Sequence, residues 1–190
     1  MHDCARIHIP RRAEGLRVIL PSTIPVSADK PTRHMNKKPI LFHDIDGVLY
    51  AEYDGEFQLR PNTKSWLKWV HQNFNVVWFS TWTEEDIQLL LAFLFKEQYL
   101  RKILPPSNRI LVAPWLGFKE KEAWLSAETR GSLADVVEWY WIDDQVPPAS
   151  QLKALGLDPE HCIQVNPKGS NELEHLKELL ESRLLIQPRT

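Results

Sequence analysis

The stretch "PILFHDIDGVLY" (residues 39–50) decides the fold: a run of β-branched and aromatic side chains ends in Asp44 and Asp46, one residue apart, and then Gly47. A run that is apolar at nearly every position suits a strand buried on both faces, as in a parallel sheet covered by helices. "VVWFS" (76–80), "RILVA" (109–113) and "WYWID" (139–143) have the same character, and "IQV" (163–165) is a weaker fifth candidate.

Amphipathic segments alternate with these runs. "NTKSWLKWVHQNF" (62–74) sets Trp66, Leu67, Trp69 and Val70 on one helical face. "TEEDIQLLLAFLFKEQYL" (83–100) opens with Thr83 and Asp86 at the spacing of a capping box, and "SNELEHLKELLESRLL" (170–185) carries Leu173, Leu176, Leu180 and Leu184 at helical spacing behind an Asn171–Glu174 cap pair. Strand and helix in alternation predict an α/β domain, a Rossmann-like three-layer sandwich with a central, mainly parallel sheet. "YAEYDGEFQLR" (50–60) is different. Its two short stretches around Asp54-Gly55 read as a small hairpin flap.

The 190 residues, 43% of them hydrophobic, suffice for one sizeable core, expected over residues 37–190. Residues 1–36 are rich in Pro, Arg, Ser and Thr without periodicity, the pattern of a flexible N-terminal extension, with Met35 as an alternative start. A net charge of −2 gives no global drive toward nucleic acid or membrane. Two cysteines, Cys4 and Cys162, build neither a disulfide framework nor a zinc site, and no apolar stretch is long enough to span a membrane, so the expectation is a soluble, cytoplasmic protein.

In parallel α/β sheets ligands bind beyond the carboxyl ends of the strands, so the polar residues found there are the ones to collect. The first strand ends in Asp44 and Asp46, the second in Ser80 and Thr81, the fourth in Asp143 and Asp144, and "GFKEKEAWL" (117–125) brings Lys119 and Lys121 just before that fourth strand. Carboxylates crowded into one crevice repel unless a cation lies among them, and an all-oxygen donor set suits Mg²⁺. Mg²⁺ with a lysine and a hydroxyl is the equipment of phosphoryl chemistry. In that chemistry Asp44 attacks phosphorus, while Asp46, across the turn that Gly47 permits, protonates the leaving oxygen and later activates water.

"HDIDGVLY", "VVWFSTW", the lysine of "FKEKEAWL" and "WIDDQ" follow the order of motifs in the haloacid dehalogenase superfamily, which residues 39–186 resemble. The closing "CIQVNPKGSNELEHLKELL" is similar to capless members associated with nucleic-acid repair proteins. The resemblance implies Asp44 as nucleophile and Asp46 as acid/base whose backbone carbonyl meets the metal. It further implies Ser80 as phosphate-binding hydroxyl, with Thr81 beside it, Lys121 or Lys119 as phosphate-binding lysine, and Asp143 or Asp144 as a further metal carboxylate.

No large cap fits between Asp46 and Ser80 or between Ser80 and Lys121, so the site is expected to be open. The resemblance to capless members then implies a large substrate such as a nucleic-acid end or a phosphoprotein, with a nucleotide also open. The alternative is a module that binds a phosphorylated partner without turnover. His43 is expected to face away from Asp44 into a helix contact, and most of the eight tryptophans to lie in the core. Trp82, at the crevice rim, packs either on a substrate ring or under the flap. Arg60 and Lys64 are expected in an exposed helix start, or in a small basic patch.

Overall fold

Residues that are apolar on both sides of a strand need cover on both sides, and among the described residues five α-helices supply it over a parallel sheet. The computed structural model describes residues 38–53, 56–96, 111–117, 120–131, 133 and 138–186. The extension expected over residues 1–36 lies outside them. In chain order the elements are β1 (Ile40–His43), a hairpin of β2 (Tyr50–Tyr53) and β3 (Glu56–Leu59), α1 (Thr63–Asn73), β4 (Asn75–Trp78) and α2 (Glu84–Leu94), then α3 (Lys121–Arg130), β5 (Trp139–Asp143), α4 (Ala149–Ala154), β6 (Cys162–Gln164) and α5 (Glu172–Ile186). Among the described residues the central sheet has the order β4-β1-β5-β6 with every pairing parallel, as the uniformly apolar runs predict.

Side chains alternate across the sheet. Leu41, Tyr140 and Ile142 join Trp66, Leu67 and Val70 of α1, Ile87 and Leu91 of α2, and Leu173, Leu176 and Leu180 of α5. Phe42, Trp139 and Trp141 face the opposite way, onto Trp124 and Leu125 of α3 and Leu152 of α4. Most tryptophans are thus core residues, as expected. α1 buries Thr63, Trp66, Leu67 and Val70, the i, i+3, i+4, i+7 stripe of an amphipathic helix.

The expected capping box of α2 is present: the Thr83 side chain accepts from the Asp86 amide, and the Asp86 carboxylate accepts from the Thr83 amide. This helix stops at Leu94, short of the segment expected to carry it to residue 100. Of "RILVA", only Leu111 to Ala113 lie within the described residues. There Val112 makes a single parallel bridge to Trp78, held by Trp78 N–H to Leu111 O (2.7 Å) and Ala113 N–H to Trp78 O (2.8 Å). The expected Asp54-Gly55 turn lies outside the described residues; the strands on either side pair antiparallel, Tyr50 with Leu59 through Tyr53 with Glu56. Among the described residues no helix is long and apolar enough to cross a membrane.

Arg60 departs from the expected exposed helix start. It is buried, and its guanidinium donates to the carbonyls of Gly47 (2.9 Å), Asn166 (2.8 Å) and Gly169. One charge thereby ties the end of the hairpin to the loop after β1 and to the loop after β6. A planar group with several fixed donors can satisfy scattered carbonyls in this way. Arg60→Ala leaves those carbonyls without their donor, and a loss of about 3 kcal/mol is expected, or roughly 10 °C in melting temperature. Thermal denaturation monitored by circular dichroism measures it.

Candidate active site

The sheet ladder continues past the strand ends and carries the polar residues into register. Asp44 N–H donates to Ile142 O (3.1 Å), Phe79 N–H to His43 O (2.8 Å) and Val165 N–H to Asp143 O (2.8 Å). Asp44 therefore leaves β1 between the ends of β4 and β5, with Phe79 and Asp143 as lateral neighbours and Ser80 one residue further along the β4 side. Asp44 and Asp143 share a face with Phe42 and Trp141, the side covered by α3.

Lys121, the first residue of α3, reaches into this face. Its Nζ lies 3.1 Å from Asp44 Oδ1 and 2.7 Å from Asp143 Oδ2. The ammonium also sits 5.6 Å from the Phe79 ring centroid and 5.5 Å from that of Trp115, so its surroundings are two carboxylates and two aromatic rings. Lys121 is thus the lysine that the strand ends face, and Lys119 lies outside the described residues. Asp143 is fixed further by the Trp141 indole N–H on Oδ2 (3.2 Å) and the Gln145 amide on Oδ1 (2.9 Å).

Asp144 completes a cluster. One carboxylate oxygen from each of Asp44, Asp143 and Asp144 lies within 4.8 Å of the others, the dimensions of a metal-holding group. Lys121 supplies one positive charge against three carboxylates, so an oxygen-lined, electronegative space remains after that pairing. This all-oxygen donor set suits a hard metal cation.

Gly47 makes the cluster possible. Its φ is 74°, in the left-handed region, and a Cβ built there would meet the Asp144 carboxyl carbon at 2.2 Å. Both the turn and the close approach of Asp144 require glycine.

Asp46 faces another way, its Oδ2 accepting the Trp82 indole N–H (3.2 Å). Ser80 is buried, and its hydroxyl oxygen faces the Trp82 amide at 3.5 Å, whereas Thr81 is exposed. Among the expected residues, then, Asp44, Asp143, Asp144 and Lys121 converge, Asp46 and Ser80 border them, and Thr81 points to solvent.

His43 occupies the helix-facing side, as the alternation of the strand predicts. The Trp66 indole N–H donates to its Nε2 (2.8 Å), and an indole nitrogen can only donate. Nε2 must therefore be the bare nitrogen, which leaves the proton on Nδ1 to be donated to the Asp44 carbonyl. Burial, against the help of that carbonyl, lowers the His43 pKa to about 3, so the ring is neutral at ordinary pH and holds the peptide after Asp44.

Two contributors escaped the sequence reading. Trp115 donates its indole N–H to Ser80 O (3.0 Å) from a single 3-10 turn, Trp115–Gly117, whose position no local pattern announces. Trp141 serves the core and also the site, its two-residue spacing from Asp143 on a strand setting both on one face. A scan of protein-family models finds no match to the chain, and no curated protein matches it either.

Burial, and then the neighbouring Asp143, push the Asp44 carboxyl up to about 7 against the pull of Lys121. Asp144 is raised for the same first two reasons. In the unfolded chain Asp44 loses its proton near pH ~4, so between that value and about 7 the folded, metal-free protein holds more protons, and this contribution to stability is lost as pH rises. His43 and His71, both held neutral chiefly by burial, contribute the opposite slope below pH ~6.5. The Asp44 contribution is therefore expected as a difference: in EDTA, wild type loses stability relative to Asp44→Asn as pH rises from 4 to 8, by at most about 4 kcal/mol. Parallel urea titrations across that range read it. Gly47→Ala, strained at its φ and crowding Asp144, is expected to cost about 2 kcal/mol in the same assay.

Proposed function

We propose that the chain is a Mg²⁺-dependent phosphomonoester hydrolase of the haloacid dehalogenase type, acting through an aspartyl-phosphate on Asp44. The observation that carries this reading is the buried Asp44 carboxylate, 3.1 Å from Lys121 Nζ and within 4.8 Å of the ligand oxygens of Asp143 and Asp144. A nucleophilic carboxylate needs a fixed orientation, a counter-charge to admit an anionic ester and an acid nearby for the leaving group, and the chain's own residues meet each need.

Asp44, Asp143 and Asp144 would hold Mg²⁺, which when bound supplies positive charge to the phosphoryl oxygens. Lys121 offsets the charge of the substrate phosphate, and the Ser80 hydroxyl donates to one of its oxygens. A carboxylate oxygen of Asp44 forms a bond to phosphorus as the ester P–O bond breaks, and Asp46 delivers a proton to the departing alkoxide. Asp46, now ionised, takes a proton from water as that water attacks phosphorus. The P–O bond to Asp44 breaks, phosphate leaves, and both carboxyl groups return to their starting states. His43 holds the Asp44 carbonyl, so the peptide that carries the nucleophile does not swing with these steps.

Phosphate release from a panel of nucleotides, 3′- and 5′-phosphorylated oligonucleotides and phosphopeptides, with and without Mg²⁺, tests the proposal. Wild type is expected to turn over at least one class only with Mg²⁺, and Asp44→Asn to lose at least a thousandfold in kcat, about 4 kcal/mol. Mg²⁺-dependent binding without release, unchanged by Asp44→Asn, would replace the hydrolase with a phosphate-dependent binding module.

A further inference from the structure

The rim of the site is aromatic, and its rings form a continuous run. The Trp82 indole is anchored by its N–H to Asp46 Oδ2 (3.2 Å). Tyr50, at the start of the flap, lies 5.5 Å from Trp82 between ring centroids, and Phe57 on the second flap strand stacks on Tyr50 at 5.8 Å with only 15° between planes. Tyr50 pairs with Leu59 across the hairpin, so Phe57 is its diagonal neighbour on the same face. The run starts at the carboxylate assigned as acid/base and ends in Phe57, which is 56% exposed.

On the other side of the Ser80 turn, the Trp115 indole is pinned to Ser80 O, half-buried beside Lys121. Each indole gives its one N–H to a residue of the site, so each ring is held in place before any ligand arrives.

We propose that this rim is a ring-stacking subsite, and that the phosphomonoester taken by the site carries a planar nucleobase close to its phosphate. The inference rests on the phosphohydrolase reading for the phosphate end and on the ring geometry for the other. An exposed phenylalanine is common on protein surfaces. One that is stacked parallel on a tyrosine, itself packed on an indole bonded to a carboxylate of the site, forms a preorganised platform for a flat group. Bases stack on such rings without sequence preference, because every base has a π-face. The hairpin holds Tyr50 and Phe57 together, and the Asp46–Tyr50 bridge ties the hairpin to the loop after β1. A base on this platform and a phosphate at Asp44 are therefore positioned by the loop after β1 and the two flap strands, β2 and β3.

The test compares deoxyadenosine 5′-monophosphate with 2-deoxyribose 5-phosphate, the same ester without the base, and with phenyl phosphate, a ring without the sugar. Equilibrium dialysis uses Asp44→Asn in Mg²⁺, and kcat/KM uses full-length protein with Asp44 intact, each with and without Phe57→Ala. The expected result is a preference of about tenfold or more for the nucleotide over deoxyribose 5-phosphate, falling several-fold toward equality in Phe57→Ala. Phe57→Leu, which keeps apolar area but not the π-face, should behave like Phe57→Ala. Phe57 is exposed enough for both variants to fold, which melting curves check.

Nucleotide preferred in dialysis but never hydrolysed by the enzyme with Asp44 intact would keep the ring subsite and overturn the hydrolase. Hydrolysis of both esters with equal kcat/KM would keep the hydrolase and overturn the ring subsite. A preference that survives Phe57→Ala, or no binding of either ester, also overturns it. Phenyl phosphate preferred over the nucleotide would overturn the nucleobase assignment in favour of an aryl ester.

Discussion

One ammonium group lies between two buried carboxylates, and the candidate site is arranged around that contact. Lys121 reaches Asp44 and Asp143 across the carboxyl ends of adjacent parallel strands, with the Phe79 and Trp115 rings beside it. Removing a charge from water costs several kcal/mol, and this one is recovered only if strong partners stay in place. Asp143 is accordingly braced by an indole and an amide, and Asp44 by the strand ladder and by His43 behind it. The contact leaves negative charge uncompensated at Asp144, and that excess is the physical basis for the proposed cation.

The fold serves this arrangement by dividing labour between the faces of one sheet. The face with α3 and α4 presents Asp44, Asp143 and the lysine; the face with α1, α2 and α5 anchors the strands from behind through Leu41, Ile142 and their helical partners. His43 connects the two. It is buried on the anchoring face, yet its Nδ1 proton reaches the carbonyl of the residue whose side chain emerges on the other. Packing of α1 through Trp66 is thereby coupled to the backbone at Asp44, over a distance of two hydrogen bonds.

The loops are held more economically. Arg60 gathers carbonyls from two loops that are far apart in sequence, and Gly47 admits the Asp144 carboxylate where any Cβ would exclude it. Both devices act on backbone geometry rather than on apolar area. Such sites tolerate little change in side-chain shape even where the surrounding surface is open.

The sequence by itself determined the layered α/β architecture, because burial on both faces of a strand forces unbroken apolar runs, and amphipathic helices force a 3.6-residue period; both leave direct marks on residue order. It also determined which carboxylates stand at strand ends, and it placed His43 on the helix side, since strand alternation is a local rule. Only the tertiary structure decided that Lys121 meets Asp44 and Asp143, that Arg60 is a buried tie, and that Trp115 closes on Ser80. These contacts join residues distant along the chain, and their formation depends on how loops of irregular backbone close, for which hydrophobic periodicity carries no signal. The aromatic run from Trp82 to Phe57 lies between the two cases: its residues were visible in the sequence, but their order in space follows from the hairpin register and from one hydrogen bond to Asp46.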